Sequence, residues 1–259
     1  MNADPRHPER PRYAAAITED LLMGHRRLRQ AFLETQMRYA PRDRPIVALD
    51  DREPAVILLR NGFAFRSTSL PNGRRAILHI IVPGDCVGID HLVLAHPIEE
   101  ITAANSVGYH TLSAAKIREM MRNNVSINMH ILAFMAESRW RTDRLATIIG
   151  RFDAAARFCV MILDVYDRLR RRELISRLTF NLPLTQHQMA DHLGLTLVHV
   201  NRTLRRLREE RIVIVDRGVV IILDLNRLRE VARGLPDPAE PCDVESFDKQ
   251  PTAGTLLPK

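Results

Sequence analysis

The residues with the plainest chemistry stand between Thr185 and Leu207. Asn201, Arg202 and Arg205 carry planar hydrogen-bonding groups, and Val198 and His199 sit beside them. A guanidinium can bond bidentately to guanine O6 and N7, a carboxamide to adenine N6 and N7, and a valine can touch a thymine methyl. These positions recur at three- and four-residue steps, the spacing of one helical face, while Val200, Leu204 and Leu207 take the opposite face. One side would hold such a helix down and the other would lie in the major groove of duplex DNA.

Positioning that helix needs a partner. Thr185 with Gln188 three residues on is a capping-box signature, so a first helix should start at Gln186. Gly194 stands just past Leu193, where a left-handed helix end belongs, and Thr196 can cap a second helix running to about Glu210. Ala190 is small where the two helices would cross, and Met189, Leu193 and Leu195 complete the shared apolar face. Ile212–Val215, Asp216-Arg217-Gly218 and Val219–Ile222 then read as a β-hairpin wing. Residues 166–211 hold ten arginines against five acids, a local +5 of the whole-chain +7, which suits a phosphate backbone. The competing reading, an ordinary helical hairpin with a solvated basic face, accounts for each feature singly but not for the set.

Upstream the pattern is different. From about Arg44 to Leu112 the chain is β-rich and broken by turns: Ala55–Arg60, Asn61-Gly62, Phe63–Ser67, Pro71-Asn72-Gly73, Ala76–Val82 and Pro83-Gly84-Asp85. Short strands at regular spacing suggest an antiparallel barrel or jelly roll. Before it, Ile17 to about Tyr39 reads as an amphipathic helix with Leu21, Leu22, Leu28 and Phe32 inward. After it, Val125, Met129, Leu132, Met135 and Ala136, extended by Leu145, Ile148 and Ile149, predict about 25 residues of helix before Gly150, roughly twice the usual length. Its stripe must be buried on its own domain or against the same helix of a second chain, and the pairing is the favoured reading. A further helix over 154–169 would bury Phe158, Ile162, Val165 and Leu169.

Composition bounds the rest. In 259 residues, 46% apolar, there is material for two cores. No run approaches the ~18 apolar residues of a membrane span, and the amino terminus lacks the apolar stretch of a signal peptide, so a cytoplasmic protein is expected. Cys86, Cys159 and Cys242 form no CxxC pair, against a disulfide framework or local zinc or iron–sulfur site. Residues 1–16 and 234–259 read as solvated tails.

In the order barrel, long helix, winged helix-turn-helix, the sequence resembles the Crp/Fnr family of bacterial transcription regulators. The resemblance covers about Arg44 to Ile222, and is strongest from Leu182-Pro183-Leu184-Thr185 through Leu207. It implies an α+β fold with an N-terminal antiparallel β jelly roll (cyclic-nucleotide-binding-like) over 17–123, a dimerisation helix over 124–150 and a C-terminal winged helix-turn-helix over 151–233. It also implies a homodimer on an inverted repeat of double-stranded DNA, with RNA polymerase a candidate partner. By that resemblance Arg202 reads a base, Thr196 contacts phosphate, and Asn201 stands where some members place a base-contacting serine. Val198 replaces a common cytosine-reading glutamate. The expected DNA-binding set is Thr185, Gln186, Thr196, Val198, His199, Asn201, Arg202 and Arg205.

Family members that hold a cyclic nucleotide use a Gly-Glu pair and an Arg-Ser or Arg-Thr pair; here Ile89 and Ile98-Glu99 occupy those places. Cyclic AMP or GMP binding by that mode is therefore not expected, the effector is unknown and no cofactor is expected. Iron–sulfur sensing lacks its cluster of N-terminal cysteines. His79, Cys86, His91 and His96 share a barrel segment but match no metal signature, and Cys86 is a weaker candidate redox switch. His187, His192 and His199 are read as solvated or phosphate-facing. No nucleophile triad, P-loop or GxGxxG sequence supports an enzyme. The alternatives are a ligand-binding or interaction module with only non-specific DNA binding, and a cupin-type metalloenzyme.

Overall fold

A computed structural model of the chain describes residues 15–49, 55–94 and 97–232. Most of both tails, with His96 and Cys242, lies outside that range. Helix α1 (Ala15–Leu33) is followed by strands β1 (Arg38–Ala40), β2 (Pro45–Val47), β3 (Ala55–Asn61), β4 (Ala64–Ser69), β5 (Arg75–Ile81), β6 (Cys86–Val87), β7 (Glu100–Ala103) and β8 (Val107–Ser113). They make two four-stranded antiparallel sheets, ordered β1-β8-β3-β6 and β2-β7-β4-β5. Ile57, Leu59, Ala64, Ile81, Val87, Ile101, Ala103 and Val107 fill the space between the sheets. On the other side of β3, Val56 and Leu58 pack with Leu28 and Phe32 of α1. That is why Ala55–Leu59 is a continuous apolar run rather than an alternating one: both faces of the strand are covered.

Asn61-Gly62 does turn the chain, with Gly62 at φ 75°, but it passes from one sheet to the other, since β3 and β4 belong to different sheets. Pro71-Asn72-Gly73 closes the β4–β5 hairpin, in which Phe65 faces Ile80. Helix α1 starts two residues before the expected Ile17 and stops at Leu33, because residues 38–40 join the sheet as β1. Leu21, Leu28 and Phe32 are buried as anticipated, whereas Leu22 is only partly so.

The carboxyl half follows as α2 (Ala114–Arg122), α3 (Val125–Arg151), α4 (Ala154–Arg171), β9 (Thr179–Asn181), α5 (Gln186–Leu193), α6 (Leu197–Glu209), β10 (Val213–Asp216), β11 (Val219–Ile222) and α7 (Leu225–Val231). Asn124 caps the start of α3, and the 27-residue helix runs through Gly150 to Arg151. Its stripe divides in two. Ile127, Ile131 and Ile148 are buried within the chain, while Val125, Leu132 and Met135 stand exposed with Ile149 at the margin. The first of the two homes foreseen for that stripe thus applies to part of it, and the rest of the stripe is exposed on the single chain.

On α4, Phe158, Ile162, Val165 and Leu169 are all buried. They belong to one apolar cluster that includes Phe63, Phe65, Ile77, Ile80 and Val82 of the β domain together with Met189, Leu193, Val200 and Leu207. The carboxyl half therefore rests directly on β4 and β5 rather than hanging from a linker.

Candidate nucleic-acid interface

Local chemistry fixes both motif helices. Thr185 Oγ1 accepts the Gln188 N–H at 3.1 Å and Gln188 Oε1 accepts the Thr185 N–H at 2.8 Å, a complete capping box. Such caps are worth about 1 kcal/mol. Gly194 ends α5 at φ 64°, and the Leu195 N–H returns to the Ala190 carbonyl at 3.0 Å. A Cβ on Gly194 would come within 3.3 Å of Ile149 Cγ2, so glycine here supplies both the left-handed turn and the close approach to α3. Thr196 then caps α6, its Oγ1 accepting the His199 N–H at 3.3 Å. That leaves the hydroxyl proton of Thr196 available to a phosphate oxygen.

Helix α6 is held by Val200, Thr203 and Leu207, all buried, with Leu204 packed beside them. Opposite them Val198, His199, Asn201, Arg202 and Arg205 are exposed, as are Thr185, Gln186 and Thr196. The structure thus leaves every residue of the expected DNA-binding set accessible. Among the described residues Arg202 has no carboxylate partner, whereas Arg205 pairs with Glu209 at 2.8 Å and Arg206 with Glu210 at 2.7 Å. Exposed i,i+4 pairs of this kind are screened by solvent and are little to set against a phosphate. The wing gains an unforeseen third strand: β9 joins β11 on the side away from β10, giving the order β10-β11-β9.

The local +5 of residues 166–211 does not all face a phosphate backbone. Arg168 and Arg172 turn inward to Asp85 of the Pro83-Gly84-Asp85 turn. Arg168 Nη1 and Arg172 Nη2 each donate to a different Asp85 oxygen at 2.8 Å, and Asp85 Oδ2 also accepts the Val82 N–H at 2.8 Å. Arg168 bonds Asp164 at 3.0 Å as well. Burial alone would raise the Asp85 carboxyl, but the two guanidiniums override it and hold it well below its ordinary range. Asp164 is pulled to about 2 by Arg168 and Arg141 against the same opposing burial. This site was missed in the sequence; its signal was Asp164 and Arg168, charged and four apart, within the apolar run of α4.

His192 is also corrected. It is only partly exposed and turns inward, its Nδ1 lying 3.0 Å from the Ile77 carbonyl of β5, and burial lowers its pKa. His187 and His199 are exposed.

In the β domain, Ile89 is buried in the apolar cluster of α1 and β3, and Glu99 is bonded to Arg66 at 2.8 Å. His91 Nδ1 lies 2.9 Å from the Ala55 carbonyl, and His79, lowered to about 4 chiefly by burial, lies 3.8 Å from Asp85. Burial, reinforced by the Asp85 charge, raises the Cys86 thiol, which disfavours the thiolate a redox switch needs. Cys159 is pushed up to about 12, again mainly by burial. Among the described residues no group of three or more His, Cys, Asp or Glu could hold a metal ion, and no helix is long and apolar enough to cross a membrane.

A two-sheet β domain joined by a long helix to a winged helix-turn-helix with an open basic face defines a DNA-binding transcription regulator. Residues 156–231 match the Crp-like helix-turn-helix domain. The chain is 26% identical over 203 residues to the transcriptional activatory protein AadR of Rhodopseudomonas palustris, covering 77% of this chain and 82% of that protein. It is 26% identical over 187 residues to the transcriptional activator protein FnrL of Cereibacter sphaeroides, covering 70% and 74%. The solved structure of FixK2 from Bradyrhizobium japonicum superposes with a TM-score of 0.71 at 20% identity, over 78% of this chain and 98% of that one, and so shares the fold. These matches support a Crp/Fnr-type DNA-binding transcription regulator, with a Crp-like helix-turn-helix domain over residues 156–231.

Proposed function

We propose that the chain acts as a homodimer on an inverted-repeat operator, each copy reading one half-site through α6. The observation that carries this reading is the two-sidedness of α6: an inner face fixed by Val200, Thr203 and Leu207, and an outer face of Val198, Asn201, Arg202 and Arg205 open to solvent. The exposed apolar seam of α3 supports the dimer. In this reading residues 17–123 form the sensor domain, 124–150 the dimerisation helix and 151–233 the reading head, working in the cytoplasm, with RNA polymerase a potential partner. Arg202 reads a guanine edge, Asn201 a neighbouring base, and Thr185, Gln186, Thr196, His199 and Arg205 fix the register on phosphates. With Val198 in place of a carboxylate, no acceptor meets a cytosine amino group at that position.

Selection of bound sequences from a random duplex pool tests the assignment. Arg202→Ala should cost about 1–3 kcal/mol and relax preference at one base pair per half-site. An unchanged preference in that variant would remove Arg202 from the reading role.

The same proposal holds that the sensor domain does not take cyclic AMP or GMP in the usual way. Ile89 offers no acceptor for a ribose hydroxyl, and the Glu99 carboxylate, bonded to Arg66, would repel a cyclic phosphate. Titration calorimetry with cyclic AMP should record no binding; a micromolar Kd would overturn this part.

A further inference from the structure

Strand β5 is the edge of its sheet, so part of its backbone has no strand to pair with. Edges of that kind must be covered or blunted, and here the carboxyl half supplies the cover. The Ile77 carbonyl meets His192 Nδ1 at 3.0 Å, and the Ile80 carbonyl accepts from Arg168 Nη2 at 2.8 Å. At the start of β5, Arg75 donates from Nε and Nη2 to one Asp191 oxygen of α5, at 3.2 and 3.0 Å. The Arg75 guanidinium also lies 5.0 Å above the Phe65 ring, which fixes its direction. Two residues further along α5, Arg157 bonds the Leu193 carbonyl at 3.0 Å and the Phe152 carbonyl at 2.9 Å, tying the helix-turn-helix bend to the α3–α4 junction.

Helix α5 is thus seated on the barrel edge and at the base of the long helix, and α6 is carried on α5. In this seat the outer face of α6 is open. We propose that Arg75 and Asp191 are positioning residues: their ion pair between β5 and α5 fixes the direction in which the reading helix faces, so a β-domain side chain far from the bases sets DNA affinity. This rests on the DNA-reading function proposed above. Neither residue touches DNA in that reading; both act through α5. A head released from its seat samples other directions, and the affinity falls with the fraction that remains correctly aimed.

The test is a charge swap in the full-length chain. Both side chains are about one-third exposed, so the variants should fold. Operator affinity and amide hydrogen exchange over residues 186–193 are measured for wild type, Arg75→Glu, Asp191→Arg and the double variant. Arg75→Glu should weaken operator binding about tenfold if the aimed fraction falls to one-tenth, and should speed exchange in α5. The double variant should recover both, with the ratio of operator to random-sequence affinity restored. Equal affinity in wild type and Arg75→Glu overturns the proposal, as does tighter binding, which would make the seat inhibitory, and so does a double variant no better than the single ones. Wild-type protein that retains no selected sequence would instead end the DNA reading itself, a failure seen before any variant is compared.

Discussion

Arg168→Met is expected to lower the unfolding free energy by about 3–5 kcal/mol at neutral pH, the cost of removing one partner from a buried ion pair. Asp85 and Arg168 are both nearly inaccessible, and Asp164 leans on the same guanidinium. Arg172 remains on Asp85 in the variant, so the loss should fall short of complete unfolding. Sensitivity to pH gives a second signature. The Asp85 carboxyl is depressed in the folded chain, so its contribution is present above the unfolded value of about 3.9 and fades as pH falls through the folded value. The variant raises that folded value, and the gap between the two proteins should therefore narrow as pH drops below about 4. Urea midpoints at pH 7 and in mild acid, converted with their slopes, measure both effects; a loss under about 1 kcal/mol at pH 7 would show the cluster to be energetically neutral.

The double replacement Leu132→Lys with Met135→Lys should turn the proposed dimer into monomers and reduce operator affinity by about 10²–10⁴, the range that linking two binding events provides. Val125, Leu132, Met135 and Ile149 fall on a 3.5-residue repeat along α3, the spacing of a two-stranded coiled coil. Leu132 is 60% and Met135 47% exposed in the single chain, so lysines there should change monomer stability by no more than about 0.5 kcal/mol. Sedimentation equilibrium reports the mass and a gel shift on a two-half-site duplex reports affinity. A variant that stays dimeric would place the dimer contact elsewhere on the molecule.

The reading helix was legible because its determinants are local. A capping box, a left-handed glycine, a second cap and a 3.6-residue apolar period lie within 23 consecutive residues, 185–207, and each constrains its neighbours. The long helix was legible for the same reason, though a single stripe concealed one buried face and one exposed face. Illegible were the contacts between residues far apart in the chain. Asp85 with Arg168, or Arg75 with Asp191, leaves no periodic trace, and Asp85 presents itself only as the end of a Pro-Gly-Asp turn. His192 shows the same limit: its surroundings depend on a strand 115 positions earlier. Strand β9 escaped notice because three residues carry too little pattern to separate a strand from a loop.

The covering of β5 bears on how such chains can be rebuilt or can diverge. The β domain does not own all of its hydrogen-bond acceptors, since the Ile77 and Ile80 carbonyls are satisfied by groups more than 80 positions downstream. Grafting a foreign DNA-recognition module after α3 would bring new nucleotide preferences but also a new inner surface, lacking the imidazole and guanidinium that fit this rim. In this chain the two halves are therefore a matched set, and an exchanged module should succeed where both surfaces travel together.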